Sequence, residues 1–244
     1  MISSDWNECL APCGPFDAIA FSCPDLAPEL TAVFRRYTGN EIPLSKAAET
    51  IASLMPRPLT VAQMDAYLES AFDTYTGVSA LIRWADANDV LFMINTTGMI
   101  GYFQRALASG KLPPVPALAA HPLIGFPASS SDPAAVFELL EIEDKARHTE
   151  AVARRFSIPF SRVAIMGDSG GDGPHFAWAA KNGAATVGCM TKASLNGYCR
   201  RRGIHITLRF GPSCEPGEDR NEAAEKTVDF TGLIPFLEKK LLSR

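Results

Sequence analysis

Short apolar runs alternate with segments of helical period along most of the chain. Residues 17–23 (Asp-Ala-Ile-Ala-Phe-Ser-Cys) end at the breaker cluster Cys23-Pro24-Asp25 and predict a first buried strand. Pro24 lacks a ladder donor and holds Cys23 extended. Residues 26–75 show no strand pattern and predict three helices, over 26–37, 45–55 and 59–75. The last opens on Thr60-Val-Ala-Gln63, a capping-box spacing. Residues 78–87 place Val78, Leu81, Ile82 and Ala85 on one helical stripe. A second strand follows over 90–95, then a helix over 99–108 closed by Gly110. The Pro- and Ser-rich stretch 112–132 predicts mostly loop. Further strands are expected over 136–142, 162–166 and 184–189, with helices over 145–156 and 175–182. Asp144 is placed to cap the first of these helices. The tail predicts an edge strand over 204–210, a polar loop and a closing helix over 233–242.

Strands that alternate with helices predict an α/β fold: a Rossmann-like parallel sheet with helices on both faces. The helical block 26–76 reads as a separate helical module after the first strand, with 15–25 and 77–244 forming the core. Ligands of such sheets bind beyond the carboxyl ends of the strands. The polar residues expected there are Ser22, Thr96, Thr97, Asp168 and Asp172.

Composition narrows the function classes. At 244 residues, with 47% hydrophobic and 20% charged residues, the chain has enough apolar surface for a core and is not disordered. A formal net charge of −4 argues against nucleic acid, which needs a basic face. The one dense basic run, Arg200-Arg201-Arg202, reads as a solvated helix end. Six cysteines, at 9, 13, 23, 189, 199 and 214, form no C-x-x-C pair. They read as reduced thiols, and the absence of an apolar leader or membrane-length run makes a cytoplasmic protein the expectation.

The segment Val163-Ala-Ile-Met-Gly-Asp-Ser-Gly-Gly-Asp-Gly173 carries the most chemical information. As a trypsin-like Gly-Asp-Ser-Gly-Gly-Pro string it is interrupted before Pro174, and His121 lies too few residues upstream for a double barrel. As a Gly-x-Ser-x-Gly nucleophile elbow around Ser169 it has a strand–turn–helix context. The expected acid and histidine, however, do not follow in order. As a metal-carboxylate loop it offers Asp168 and Asp172 to a hard cation such as magnesium.

In the order of its motifs the chain resembles the haloacid dehalogenase (HAD) superfamily, most of whose members are phosphohydrolases. The resemblance rests on Thr76 to Trp84 before Val90-Leu-Phe-Met-Ile-Asn-Thr96, on Lys145 one helix before Asp168, and on Asp168 with Asp172. The stretch from Gly173 through Asn182-Gly-Ala-Ala-Thr-Val-Gly adds to it. It implies that Thr96 and Thr97 bind a phosphoryl group, that Lys145 offsets its charge, and that Asp168 and Asp172 hold magnesium. The family's first motif, D-x-D, supplies nucleophile and acid/base. Against the strand expected at 17–23, those positions fall on Ser22 and Pro24.

The resemblance therefore implies a phosphatase-like protein with a degenerate first motif, a weak or inactive phosphohydrolase with weakened magnesium affinity. It still binds a small phosphorylated or anionic ligand. Its alternative is an active magnesium-dependent phosphomonoester hydrolase with a substitute nucleophile such as Ser22. An esterase built on Ser169 and a non-catalytic scaffold stand behind these. His175 reads as a packed core histidine. The aromatics Phe34, Tyr37, Tyr67, Phe72 and Tyr75 read mainly as core, some facing the crevice.

Overall fold

The computed structural model describes every residue except 40, 216, 219 and 244. The chain begins with strand β1 (Ile2–Ser4). Five helices follow: α1 (Asp17–Ser22), α2 (Ala27–Thr38), α3 (Leu44–Leu54), α4 (Val61–Ala71) and α5 (Val78–Ala87). Next come β2 (Phe92–Met99), α6 (Ile100–Ala108), β3 (Ala117–His121), β4 (Ala135–Glu138), α7 (Asp144–Arg155) and β5 (Ala164–Gly167). The chain ends with α8 (Gly173–Asn182), β6 (Ala185–Cys189), α9 (Ala193–Arg202), β7 (Leu208–Phe210), α10 (Glu222–Glu225) and α11 (Ile234–Leu241). Among the described residues the strands form one sheet in the order β4-β3-β2-β1-β5-β6-β7, and every pairing is parallel. The parallel α/β architecture is as expected from the alternation.

Burial follows position in the sheet. Every residue of β1, β2, β3, β5 and β6 is buried, as strands covered on both faces must be. The edge strands β4 and β7 alternate. The strand order reverses between β1 and β5, where Ser4 lies level with Ile94 of β2 and Met166 of β5. A crevice opens at such a reversal, past the carboxyl ends of the strands.

A buried polar network fixes how α7 sits on this sheet. Asn95 of β2 donates to the Lys145 carbonyl (2.8 Å) and to Thr149 Oγ1 (3.0 Å). The Ser3 and Thr149 hydroxyls share a 2.7 Å hydrogen bond, and Thr149 also meets His175 Nε2 of α8 at 2.9 Å. A buried polar network of this kind specifies one register where apolar contacts would tolerate several.

Three expectations are corrected here. Residues 17–23 form a helix, not the first strand: α1 buries Ala18 and Ile19 and leaves Phe21 exposed. A short apolar run is compatible with either structure, and only tertiary contacts choose. The first strand is Ile2–Ser4, at the centre of the sheet, so the core begins at the N-terminal residues rather than at 15. Its two serines hide it from any hydrophobic reading. They are buried because Ser3 bonds Thr149 and Ser4 donates to the Asp5 carbonyl (2.7 Å). The stretch 112–132 contains β3, a short run of alanines and leucine between prolines. Asp144 is the first residue of α7 rather than its cap. Its carboxylate accepts from the Leu140 and Glu141 amides, both at 2.9 Å.

Other readings agree with the fold. Thr60 and Gln63 form the capping box on α4. Arg200, Arg201 and Arg202 are the exposed last turn of α9. All six cysteines are free. Among the described residues no helix is long and apolar enough to cross a membrane.

The buried His175 gives a pH signature. Burial, then Lys145, pulls its pKa from 6.5 down to about 3. The unfolded chain thus binds a proton below pH 6.5 that the folded chain refuses, and stability falls as pH drops through that window. Asp168 acts in the opposite sense over part of the range, so the comparison must be between variants. Urea midpoints of wild type and His175→Gln measured from pH 7 to 4.5 should show a steeper acid loss for wild type, by up to about 1.4 kcal/mol per pH unit.

Candidate active site

Three carboxylates meet beyond the ends of the two central strands. Asp5 follows β1, Asp168 follows β5, and Asp172 lies one turn further on. One oxygen from each lies within 4.8 Å of the others. All three are buried. Isolated carboxylates in such a place carry a large desolvation cost, so cations must accompany them.

Lys145 supplies the nearest cation. It stands in the first turn of α7 and is 1% exposed. Its Nζ donates to Asp172 Oδ1 at 2.6 Å and lies 3.2 Å from Asp5 Oδ2. Burial favours a neutral amine, but Asp172 and Asp5 outweigh it and hold Lys145 above its ordinary pKa. Asp5 is raised by burial, against the pull of Lys145. The Trp6 amide donates to Asp5 Oδ1 at 2.7 Å and sets its rotamer.

Asp172 is gripped from the other side. Its Oδ2 accepts from the Asp168 and Ser169 amides at 3.0 and 3.2 Å. A Cβ at Gly167 would collide with the Asp172 carboxylate, so this close approach requires glycine. Asp168 is less satisfied. Its Oδ2 lies 2.7 Å from Lys192 Nζ, and neither oxygen makes a hydrogen bond of good geometry. Burial pushes its pKa up to about 8, Lys192 opposing and Asp172, Asp5 and Glu8 adding to the rise. A buried carboxylate short of partners beside two others is the oxygen donor set of a hard divalent cation, and magnesium fits it. Asp5, directly after the central strand, supplies the third carboxylate of this cluster.

Thr96, where the pairing of β2 with β3 breaks register after Asn95, donates to Asn7 Oδ1 and accepts from the Gly98 amide, both at 3.2 Å. Thr97 Oγ1 lies 2.6 Å from the hydroxyl of Tyr37, which α2 carries down from the helical block. Glu8 forms ion pairs with Lys192 and Arg220, and Arg220 reaches on to Glu225 at 2.6 Å. Glu8 lines a cavity of about 360 Å³ with Asp17, Tyr67, Tyr75, Arg220 and Glu225.

Neither a family model nor a curated protein matches the chain in sequence. Solved structures do match. A phosphoserine phosphatase in a phospho-aspartyl intermediate analogue superposes with a TM-score of 0.67 at 13% identity, covering 96% of this chain and 97% of that one. A substrate-bound phosphoserine phosphatase gives 0.66 at 14% identity, covering 96% of each. A HAD family hydrolase from Salmonella enterica serovar Typhi gives 0.64 at 13%, covering 98% of this chain and 71% of that one. The fold is that of the HAD phosphatases.

On this HAD fold, the residues singled out from sequence divide cleanly. Lys145, Asp168 and Asp172 gather around Asp5, while Thr96 bonds Asn7 and Thr97 bonds Tyr37. Ser22 does not join them: it ends α1, and its hydroxyl is buried without a partner. Its assignment failed with the strand it rested on. Ser169 caps the turn that follows β5, its hydroxyl accepting from the Asp172 amide, and no described histidine bonds it. That removes the geometric basis of the esterase reading.

Sequence reasoning missed Asp5, Asn7, Glu8 and Lys192. The available signal was Asp5-Trp6-Asn7, a charged residue directly after Ile2-Ser3-Ser4.

Lys145→Met would leave Asp5 and Asp172 buried without their shared cation. Urea unfolding at pH 7 without divalent cations should show a loss of about 3–5 kcal/mol.

Proposed function

We propose that this protein is a magnesium-dependent phosphohydrolase acting on a small phosphorylated molecule, with Asp5 as its nucleophile. The observation that carries this is the position of Asp5: at the end of the central strand, within 4.8 Å of Asp168 and Asp172, and 3.2 Å from Lys145. This reading replaces a degenerate first motif with one whose nucleophilic carboxylate is intact. Ser22 has no role in it.

An Asp5 oxygen attacks phosphorus, the bond to the leaving oxygen breaks, and an aspartyl-phosphate forms. Water then attacks that phosphorus and the Asp5 carboxylate is restored. Splitting one displacement into two lowers the barrier of each. Thr96 and the neighbouring backbone amides orient the phosphoryl oxygens, and Lys145 stabilises the charge that develops on them. Asp5, Asp168 and Asp172 would hold a magnesium ion, which supplies positive charge against the phosphoryl group. Lys192 keeps Asp168 turned towards the site. We assign residues 26–76 as a cap, supported by the hydrogen bond of Tyr37 to Thr97 and by the Leu44 and Ser45 amides on the Glu141 carboxylate, at 3.0 and 3.2 Å.

Hydrolysis of 4-nitrophenyl phosphate should require magnesium. Asp5→Asn and Asp168→Ala should each lower kcat by about 10³-fold or more, while Ser22→Ala leaves it unchanged. Activity that survives Asp5→Asn would overturn the assignment. In a second measurement, magnesium should raise the Tm of wild type but not of Asp168→Asn, because a cation bound only by the folded state stabilises it.

A further inference from the structure

The geometry points to substrates whose leaving oxygen departs without being protonated by the enzyme: acyl phosphates foremost, and not alkyl phosphomonoesters. This rests on Asp5 as the attacking group. It follows from a census of the proton donors around Asp5.

Asn7 stands two residues beyond the nucleophile, beside the phosphoryl-binding Thr96. Its amide is fixed at both ends. Oδ1 accepts from Thr96 at 3.2 Å, and Nδ2 donates to the Cys13 carbonyl at 3.3 Å. A Cβ at Gly98 would sit 2.7 Å from Oδ1, so the chain is shaped around this side chain. An amide neither gives nor takes a proton near neutral pH.

Asp168 and Asp172 belong to the cation site in this reading, and the other described groups around Asp5 are committed to other partners. Glu8 is next in sequence, but its carboxylate is paired with Lys192 and Arg220, which overcome burial and hold it ionised. Lys145 keeps its proton between Asp172 and Asp5. The Tyr37 hydroxyl is committed to Thr97 at 2.6 Å, and burial makes it a weaker acid than an ordinary phenol. Asp17 lies outside this ring and accepts from the Gly14 amide at 2.7 Å. Of the four histidines, His175 is bonded to Thr149 and His121 to the Leu123 amide, and none touches Asp5 or Thr96.

General acid catalysis contributes about 10²–10⁴-fold, and it matters most where the leaving group is a strong base. An alkoxide is such a base. The carboxylate leaving an acyl phosphate has a conjugate acid near pKa 4 and needs no help. In the first step an Asp5 oxygen–phosphorus bond forms, the phosphorus–oxygen bond to the acyl group breaks, and its electron pair leaves as carboxylate. In the second, water adds to phosphorus, the Asp5 carboxylate leaves, and both hydrogens of the water end on the released dihydrogen phosphate, which gives one to solvent according to pH. No oxidant or further reactant enters. Asn7 cannot activate that water, so the aspartyl-phosphate should accumulate.

The test compares acetyl phosphate, 4-nitrophenyl phosphate and O-phosphoserine as substrates of the full chain with magnesium. The variants are wild type, Asn7→Asp and Asn7→Ala. For wild type, kcat/KM should fall from acetyl phosphate to O-phosphoserine by about 10³-fold or more, with a stoichiometric burst preceding turnover. Asn7→Asp should raise kcat/KM for O-phosphoserine by about 10²–10⁴-fold, change kcat/KM for acetyl phosphate far less, and abolish the acetyl phosphate burst by speeding the second step. Asn7→Ala should keep the wild-type order, so the steep dependence stands even if Asn7→Asp fails to fold. Rates for O-phosphoserine and acetyl phosphate within tenfold of each other in wild type would overturn the inference. Asp17→Asn and Tyr37→Phe would then locate the acid. Turnover of no substrate above Asp5→Asn would instead overturn the nucleophile assignment, and this inference with it.

Discussion

The buried ammonium of Lys145 is the contact on which the rest of the site depends. Two carboxylates, from the ends of β1 and from the turn after β5, face each other out of water. They stay there because one lysine lies against both. That lysine is held by the start of α7, and α7 is held in register by Asn95, Ser3 and Thr149. A shift of α7 by one residue would carry the charge away and leave two unpaired acids. The polar layer beneath the helix thus decides the electrostatics above it.

A second ring of charge surrounds the first. Lys192 joins Asp168 to Glu8, and Arg220 joins Glu8 to Glu225. The segment carrying Arg220 lies more than two hundred residues from Glu8 in the chain, yet the two meet at the mouth of the cavity. The inner pair of lysine and acids is shielded from solvent, and the outer ring is partly exposed. Salt should therefore weaken the outer ring more than the inner one. Glu8, Arg220 and Glu225 of the outer ring border the cavity, while Lys145, Asp5 and Asp172 are held out of water.

The same geometry explains why one conservative difference matters so much. Asn7 has almost the shape of an aspartate, and its Oδ1 accepts the hydrogen bond from Thr96 as a carboxylate oxygen would. The chemistry differs more, because an amide has no titratable proton and adds a donor to the Cys13 carbonyl that a carboxylate lacks. Architecture and reactivity are set by different atoms of one side chain.

Much of this was legible in the sequence. Strand and helix alternation gave the parallel sheet, because periodicity reports burial on one or both faces. Thr96, Thr97, Asp168 and Asp172 stood at predicted strand ends, and Lys145 was singled out only by the family resemblance. The central strand was not. Ile2-Ser3-Ser4 has one apolar residue, and its serines are buried only because partners on α7 and along the chain satisfy them. The run at 17–23 looked more like a strand than β1 does, and the nucleophile position was drawn to Ser22 with it. Local sequence determined which residues were available and how most segments fold. The tertiary structure alone decided which strand lies at the centre, and so which carboxylate faces Lys145. Burial of a polar strand is settled by contacts distant in sequence, and no local pattern encodes them.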